Sequence, residues 1–262
     1  MYIAEIVKPG TWLASDDHKW SQEVAGLLGN LENQFYEANL ALNLFLESLK
    51  QRSAVITKEQ MQANNARRNE IQKEVESKYP NRRDINIMHD ILLETEIILK
   101  REKWSNGQLP QEFITHQPLI NARAFLYALD SFEKNLKVLM NHSDVPELIT
   151  ALHCELKRDF PDLLGVRDTA HHIEDRSRGL KASRPPRPLE LKPVDNPSFK
   201  SKNGSLMFDC LRGTKYGNTM ANGHYGEVDV SQESMEILRS IFQRLLDSFK
   251  WEGNKIHLPQ II

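Results

Sequence analysis

Trp20, Val24, Leu27, Leu28, Leu31, Phe35, Leu42, Phe45, Leu46 and Leu49 recur at steps of three and four residues. An apolar stripe of that period and length commits the chain to a long amphipathic helix, which must lay the stripe against other helices. Ser15 or Asp16 is placed to cap it. Much of the first 180 residues repeats the pattern. Leu119, Ala122, Phe125, Leu126, Leu129, Phe132, Leu136 and Leu139 form the clearest amphipathic helix, with Pro118 suited to its first turn. Residues 84–101 carry a wide apolar face (Ile85, Met88, Ile91, Leu92, Ile97, Ile98), as expected of a central, well-buried helix. Residues 57–78 are polar with a thin apolar edge at Met61, Ile71 and Val75, and are expected outermost on the bundle. Asp144 opens a helix with Leu148, Ile149, Leu152 and Leu156 inward, which Pro161 interrupts. Another is predicted from about Asp162 to Arg178, stopping at Gly179.

Pro185, Pro186, Pro188, Pro193 and Pro197 then forbid a regular helix, so 179–197 reads as an extended connector. Residues 206–211 alternate enough to be a strand, Asn222-Gly223 is a hairpin signal, and 225–230 is the returning strand. Ser231 caps a last helix whose stripe is Leu238, Ile241, Phe242, Leu245 and Phe249. A lone hairpin is marginally stable, so this helix is expected to pack back on the bundle. The predicted fold is mainly α: a helical bundle with a small antiparallel β-hairpin or three-stranded insert before the C-terminal helix. Its expected parts are a bundle over 1–180, a proline-rich basic connector over 181–204, and the hairpin with the last helix over 205–262.

A length of 262 residues suffices for a sizeable core, and a net charge of −2 neither recommends nor excludes a nucleic-acid partner. The richest apolar run, 85–99, is broken by Asp90, Glu94 and Glu96, so no membrane span is expected. The first ten residues lack a basic region followed by an apolar core, and a cytoplasmic protein is expected. Cys154 and Cys210 have no metal-like spacing and are expected to be reduced and packed.

The chemistry-bearing residues concentrate in one segment: Arg167, Asp168, His171, His172, Glu174, Asp175, Arg176 and Arg178. At about 100° per residue, Val166, Ala170 and Ile173 share one side, while Arg167, Asp168, His171, His172 and Asp175 fan across the other. Asp168 and His172 are four apart, as are His171 and Asp175, so each imidazole has a carboxylate within one turn. A carboxylate-held His beside an Arg suits general acid/base work on a phosphodiester, with the Arg stabilising the transition-state charge. Arg176, Arg178, Lys181, Arg184, Arg187 and Lys192 add a basic run able to hold a nucleic-acid backbone. A surface helix covered with intrahelical ion pairs is the plainer alternative. Adjacent histidines point apart and no partner pair such as HExxH occurs, so neither metal nor cofactor is expected. His89, His116, His142, His153, His224 and His257 read as ordinary packing or surface residues.

Arg167-Asp168-Thr169-Ala170-His171-His172, an arginine, a polar residue, three residues and a histidine, resembles the signature of the HEPN superfamily (higher eukaryotes and prokaryotes nucleotide-binding domains). The resemblance implies a late helix of an α-helical bundle as its setting. It further implies a metal-independent endoribonuclease working across a homodimer formed through the motif helices, often in a toxin–antitoxin or defence system. On this expectation His172 is the catalytic base, with His171 its rival, Arg167 stabilises the transition state, and Asp168 orients; Arg176, Arg178, Lys181 and Arg184 bind RNA. The β-rich insert and the long first helix lie outside the motif. The competing expectation is a non-catalytic helical partner protein, an antitoxin, immunity or scaffold subunit, that binds through the same polar face.

Overall fold

The structure, a computed structural model, describes residues 1–53, 57–80, 84–181, 183, 185, 187–197 and 199–260. Eight helices and four small antiparallel sheets occur among them, a mainly α fold with a β-rich insert. The chain gathers into two units, one of Met1–Glu47 with Pro118–Ile262 and the other Ser48–Gln117, a division the sequence reading did not draw.

In the larger unit the core is built from helices α1 (His18–Arg52), α4 (Gln111–Met140), α5 (Leu148–Asp159) and α8 (Gln232–Asp247). The α1 stripe is buried as its period requires, through Val24, Leu28, Leu31, Phe35, Leu42 and Phe45. Phe242 of α8 packs on Phe35 and Phe132, with ring centroids 5.4 and 5.6 Å apart, so one aromatic side chain joins three helices. Ser231 caps α8 by accepting from Ser234 N–H. The cap of α1 is Asp17, whose Oδ1 accepts from the N–H groups of Lys19 and Trp20, and not Ser15 or Asp16. Helix α4 begins at Gln111, so Pro118 lies inside it. The carbonyl of Pro110 accepts from Phe113 and Ile114 N–H and starts the helix early. An interior proline then removes one bond without ending it.

Two further features escaped the sequence reading. Strands β1 (Ile6–Lys8) and β2 (Trp12–Leu13) pair antiparallel with β9 (Ile256–Leu258) and β8 (Trp251–Glu252), stitching the two ends of the described chain together. The Gln243 side chain extends this edge, donating to Val7 C=O and accepting from Val7 N–H. Strands β3 (Val194–Asn196) and β4 (Phe199–Ser201) form a small hairpin after Pro193, with Pro197 between its strands.

The C-terminal turn of α4 is tied to α1 by His142, whose Nδ1 meets Ser143 C=O at 3.1 Å and whose Nε2 meets Glu23 at 3.2 Å. The Ser143 carbonyl does most to raise the His142 pKa; burial, the next effect in size, opposes it, and the Glu23 carboxylate adds to the rise. The contribution to stability is therefore full below about pH 6.5 and is lost as pH rises through the higher folded value. An NMR titration should show His142 ionising above a model-peptide imidazole, and Glu23→Gln should lower its midpoint.

The smaller unit pairs α2 (Lys58–Glu76) with α3 (Ile85–Ser105) around Ile71, Val75, Ile91 and Leu99. Thr57 and Gln60 form a capping box at the start of α2. Arg67–Glu102, Arg68–Glu96 and Lys78–Glu94 ion pairs, each 2.7 Å, flank the apolar seam. The expectation of a well-buried α3 fails: only Ile91, Thr95 and Leu99 are buried, whereas Ile85, Met88, Leu92, Leu93 and Ile97 are exposed. One partner helix covers one stripe, and the wide apolar face extends beyond it. Met61 is likewise exposed.

Candidate functional site

The segment bearing the motif is helix α6 (Leu163–His171), packed on a three-stranded antiparallel sheet of β5 (Cys210–Arg212), β6 (Lys215–Thr219) and β7 (Tyr225–Asp229). Strand β5 is shorter than the expected 206–211 because Asp209 adopts φ 48° and kinks the chain. Met207 nevertheless still exchanges bonds with Thr219. The Asn222-Gly223 turn joins β6 to β7, with Gly223 at φ 84°. Side chains pin α6 to the sheet. Asn218 donates to Val166 C=O, Thr169 to Thr219 C=O, and Asp162 accepts from Glu227 N–H.

The approach is close because Gly165 faces Met220: a Cβ there would overlap the thioether and come within 3.0 Å of Met220 Cγ. Gly165→Ala gains helix propensity, yet it should destabilise the protein by about 1–3 kcal/mol through overpacking. In a Met220→Ala background the same change should be neutral or stabilising, which chemical denaturation of the four variants would read.

The predicted single helix over 162–178 is interrupted. His172 takes φ −119°, ψ 42°, and a short helix α7 (Ile173–Arg176) follows before Gly179 ends the segment at φ 71°. The buried line is Leu163, Val166, Thr169 and then Arg176, while Ala170 and Ile173 are only half-buried. The break accounts for Ile173 and Arg176, which follow it, but not for Ala170, which precedes it within α6.

Arg167, Asp168, His171 and His172 are thereby brought together, in different environments. Arg167 donates to Asp130 Oδ1 of α4 at 3.0 Å, with its side chain 13% exposed and that of Asp130 6%. Its Nη1 stands 4.0 Å from Asp168, and its Nε is buried without a hydrogen-bond partner. Lys134 completes the Asp130 pairing at 2.7 Å. His171 is exposed and shares a 2.9 Å hydrogen bond through Nδ1 with Tyr127 Oη. His172, 44% exposed, lies with Nδ1 3.6 Å from Glu174 and Nε2 4.0 Å from Asp168. The two imidazoles pack edge to face with centroids 4.9 Å apart. His171 and Asp175, expected as partners, are not paired; Asp175 bonds Arg178 instead.

The basic run departs from expectation. Arg176 is fully buried, donating to Leu180 C=O at 2.9 Å and lying 3.4 Å from Asp168, so it is a structural strut and cannot reach an RNA backbone. Asp168 thus bridges Arg176 and the motif. Arg178 is exposed but paired with Asp175, and Lys181 stands 3.8 Å from Glu190. Arg184 lies outside the described residues. Cys154 is exposed rather than packed, and Cys210 is half-buried.

Tyr127, Asp130 and Lys134 were absent from the sequence reading. Asp130 carried a usable signal: a carboxylate directly after Leu129 on the apolar stripe of α4 requires a cation to accompany it inside. Among the described residues, no group of three or more His, Cys, Asp or Glu could hold a metal ion, and no helix is long and apolar enough to cross a membrane. No protein-family model, curated protein or solved structure matches the chain.

Proposed function

We propose that the protein is a metal-independent endoribonuclease in which His171 and His172 act as an acid and base pair on one phosphodiester. The observation carrying this reading is the contact of two solvent-accessible imidazoles, 4.9 Å between centroids, one bonded to a tyrosine and the other set between two carboxylates. In-line cleavage needs a base at the attacking oxygen and an acid at the leaving oxygen, and two neighbouring rings in one chain provide both.

Neutral His172 takes the proton of a ribose 2′-hydroxyl, and the oxygen attacks the adjacent phosphorus. Protonated His171 donates Nδ1–H to Tyr127 Oη and delivers its Nε2 proton to the departing 5′-oxygen. The products are a 2′,3′-cyclic phosphate and a 5′-hydroxyl. Arg167 supplies positive charge beside Asp168 as negative charge grows on the phosphate. The reading is continuous with the HEPN resemblance, and with it a place in a toxin or defence system. Incubation with total RNA in the presence of a chelator, beside His171→Ala and His172→Ala, tests it. Cyclic-phosphate products from the wild type alone support the proposal, and equal behaviour of all three proteins on every RNA overturns it.

A two-fold dimer through α6 belongs to the same proposal, since Ile120 and Tyr127 of α4 and Leu164 of α6 are exposed apolar side chains on these two helices. Glu174→Cys copies should crosslink under oxidation if the motif segments meet; a monomer at all concentrations removes the dimer and leaves the two-histidine site to one chain. A second reading is favoured by the commitment of Arg167 and Arg176 to internal bonds: a non-catalytic partner protein binding through this polar face. The chelator experiment separates the two.

A further inference from the structure

The smaller unit carries a groove of about 1040 Å³ at the turn between α3 and α4. Lys100, Lys103 and Trp104 stand at i, i+3 and i+4 on α3, so both ammonium groups and the indole share one helix face. Leu109 and Phe113 also line the groove, with Glu112 the single acid of the lining. Trp104 is 49% and Phe113 63% exposed.

The two lysines of this groove contrast with the paired cations of the same unit. Arg67, Arg68 and Lys78 of the same unit are each neutralised by a carboxylate at 2.7–2.9 Å. Among the described residues no carboxylate pairs with Lys100 or Lys103. Unpaired cations beside exposed flat rings match a ligand that alternates fixed negative charge with flat apolar surfaces. Single-stranded nucleic acid has that chemistry: its phosphates meet the lysines and its unstacked bases meet the rings. A duplex keeps its base faces stacked inside, and a protein helix laid on the apolar lining would leave both ammonium groups unmatched unless it also carried carboxylates.

We propose that this groove docks single-stranded RNA, with Trp104 and Phe113 stacking bases and Lys100 and Lys103 holding phosphates. The choice of RNA over DNA rests on the ribonuclease reading above; the groove and its chemistry do not. The test uses a fluorescein-labelled 2′-O-methyl oligouridine of twelve nucleotides, which lacks the attacking hydroxyl and cannot be cleaved by the mechanism proposed. Its binding to the full chain is followed by polarisation.

Trp104→Ala or Phe113→Ala should weaken binding roughly 5- to 100-fold. Lys100→Ala with Lys103→Ala should reduce the slope of log affinity against log salt by about 1.4, the release expected for two single-strand phosphates. These side chains are exposed, and unchanged circular dichroism would show that each variant folds. Lys73→Ala, an exposed lysine of α2 outside the groove lining, should bind as the wild type does. Affinity unaltered by all the groove substitutions overturns the proposal, as does competition by polyglutamate equal to that by unlabelled oligonucleotide. Oligonucleotide binding that persists in groove variants while their self-association changes assigns the groove to a protein contact and also overturns it. If no RNA is ever cleaved but groove-dependent binding is found, the ribonuclease reading falls and the groove stands. Cleavage and binding that ignore the groove give the reverse.

Discussion

His172→Ala is expected to slow RNA cleavage by about 10²–10⁴-fold, the usual cost of removing a general base. The effect should fall on kcat and leave KM nearly unchanged, because the imidazole acts on the transition state and makes little of the ground-state binding. His171→Ala should produce a loss of similar size. Tyr127→Phe should cost less, since it removes the oxygen that accepts from His171 Nδ1 in the proposed mechanism but leaves the imidazole in place. Two single losses that fail to multiply in the double variant would identify the histidines as one acid–base unit. Independent, multiplying effects would argue against paired action on one phosphate.

Asp130→Ala is expected to be among the most destabilising single changes in the protein, by about 3–5 kcal/mol, because it strips the carboxylate from a mostly buried Arg167. Lys134 cannot compensate, being another cation at the same site. The paired replacement Asp130→Leu with Arg167→Met removes both charges together and should recover most of that stability. This variant separates two roles of Arg167. If the folded double variant still cleaves RNA, Arg167 serves only to tie α6 to α4. Loss of cleavage with unchanged thermal unfolding assigns its charge to the transition state. Denaturation midpoints and initial rates on the same preparations would decide.

The helices were legible wherever burial follows a single period. The stripes of α1, α4 and α8 are the core of the larger unit because each lies against other helices along its length. Helix α3 was misread, since its composition resembles that of a central helix while α2 covers only part of its face. Strand β6 escaped notice because Lys215–Thr219 includes Gly217 and Asn218, both poor strand formers. Gly217 is nevertheless required where Tyr225 crosses it, and Asn218 serves as the bond to α6. The site was half legible. Spacing located Arg167, Asp168, His171 and His172, but not the break at His172, which turns Arg176 inward. Nor could it show Tyr127 and Asp130, whose role depends on α4 lying beside α6, a relation between residues some forty positions apart.

Strands β1 and β9 join Ile6 to Leu258 across almost the whole chain, and that pairing sets an order on synthesis. A ribosome-bound chain can form α1 and the smaller unit early, since their contacts are close in sequence. It cannot complete the larger core until Phe242 of α8 and the strands after it have emerged. Until then the α1 stripe has no lasting cover and the edge of β1 has no mate, the two kinds of surface on which nascent chains aggregate. Helix α8 and the strands β8 and β9 therefore act as a latch, whose arrival covers both surfaces at once.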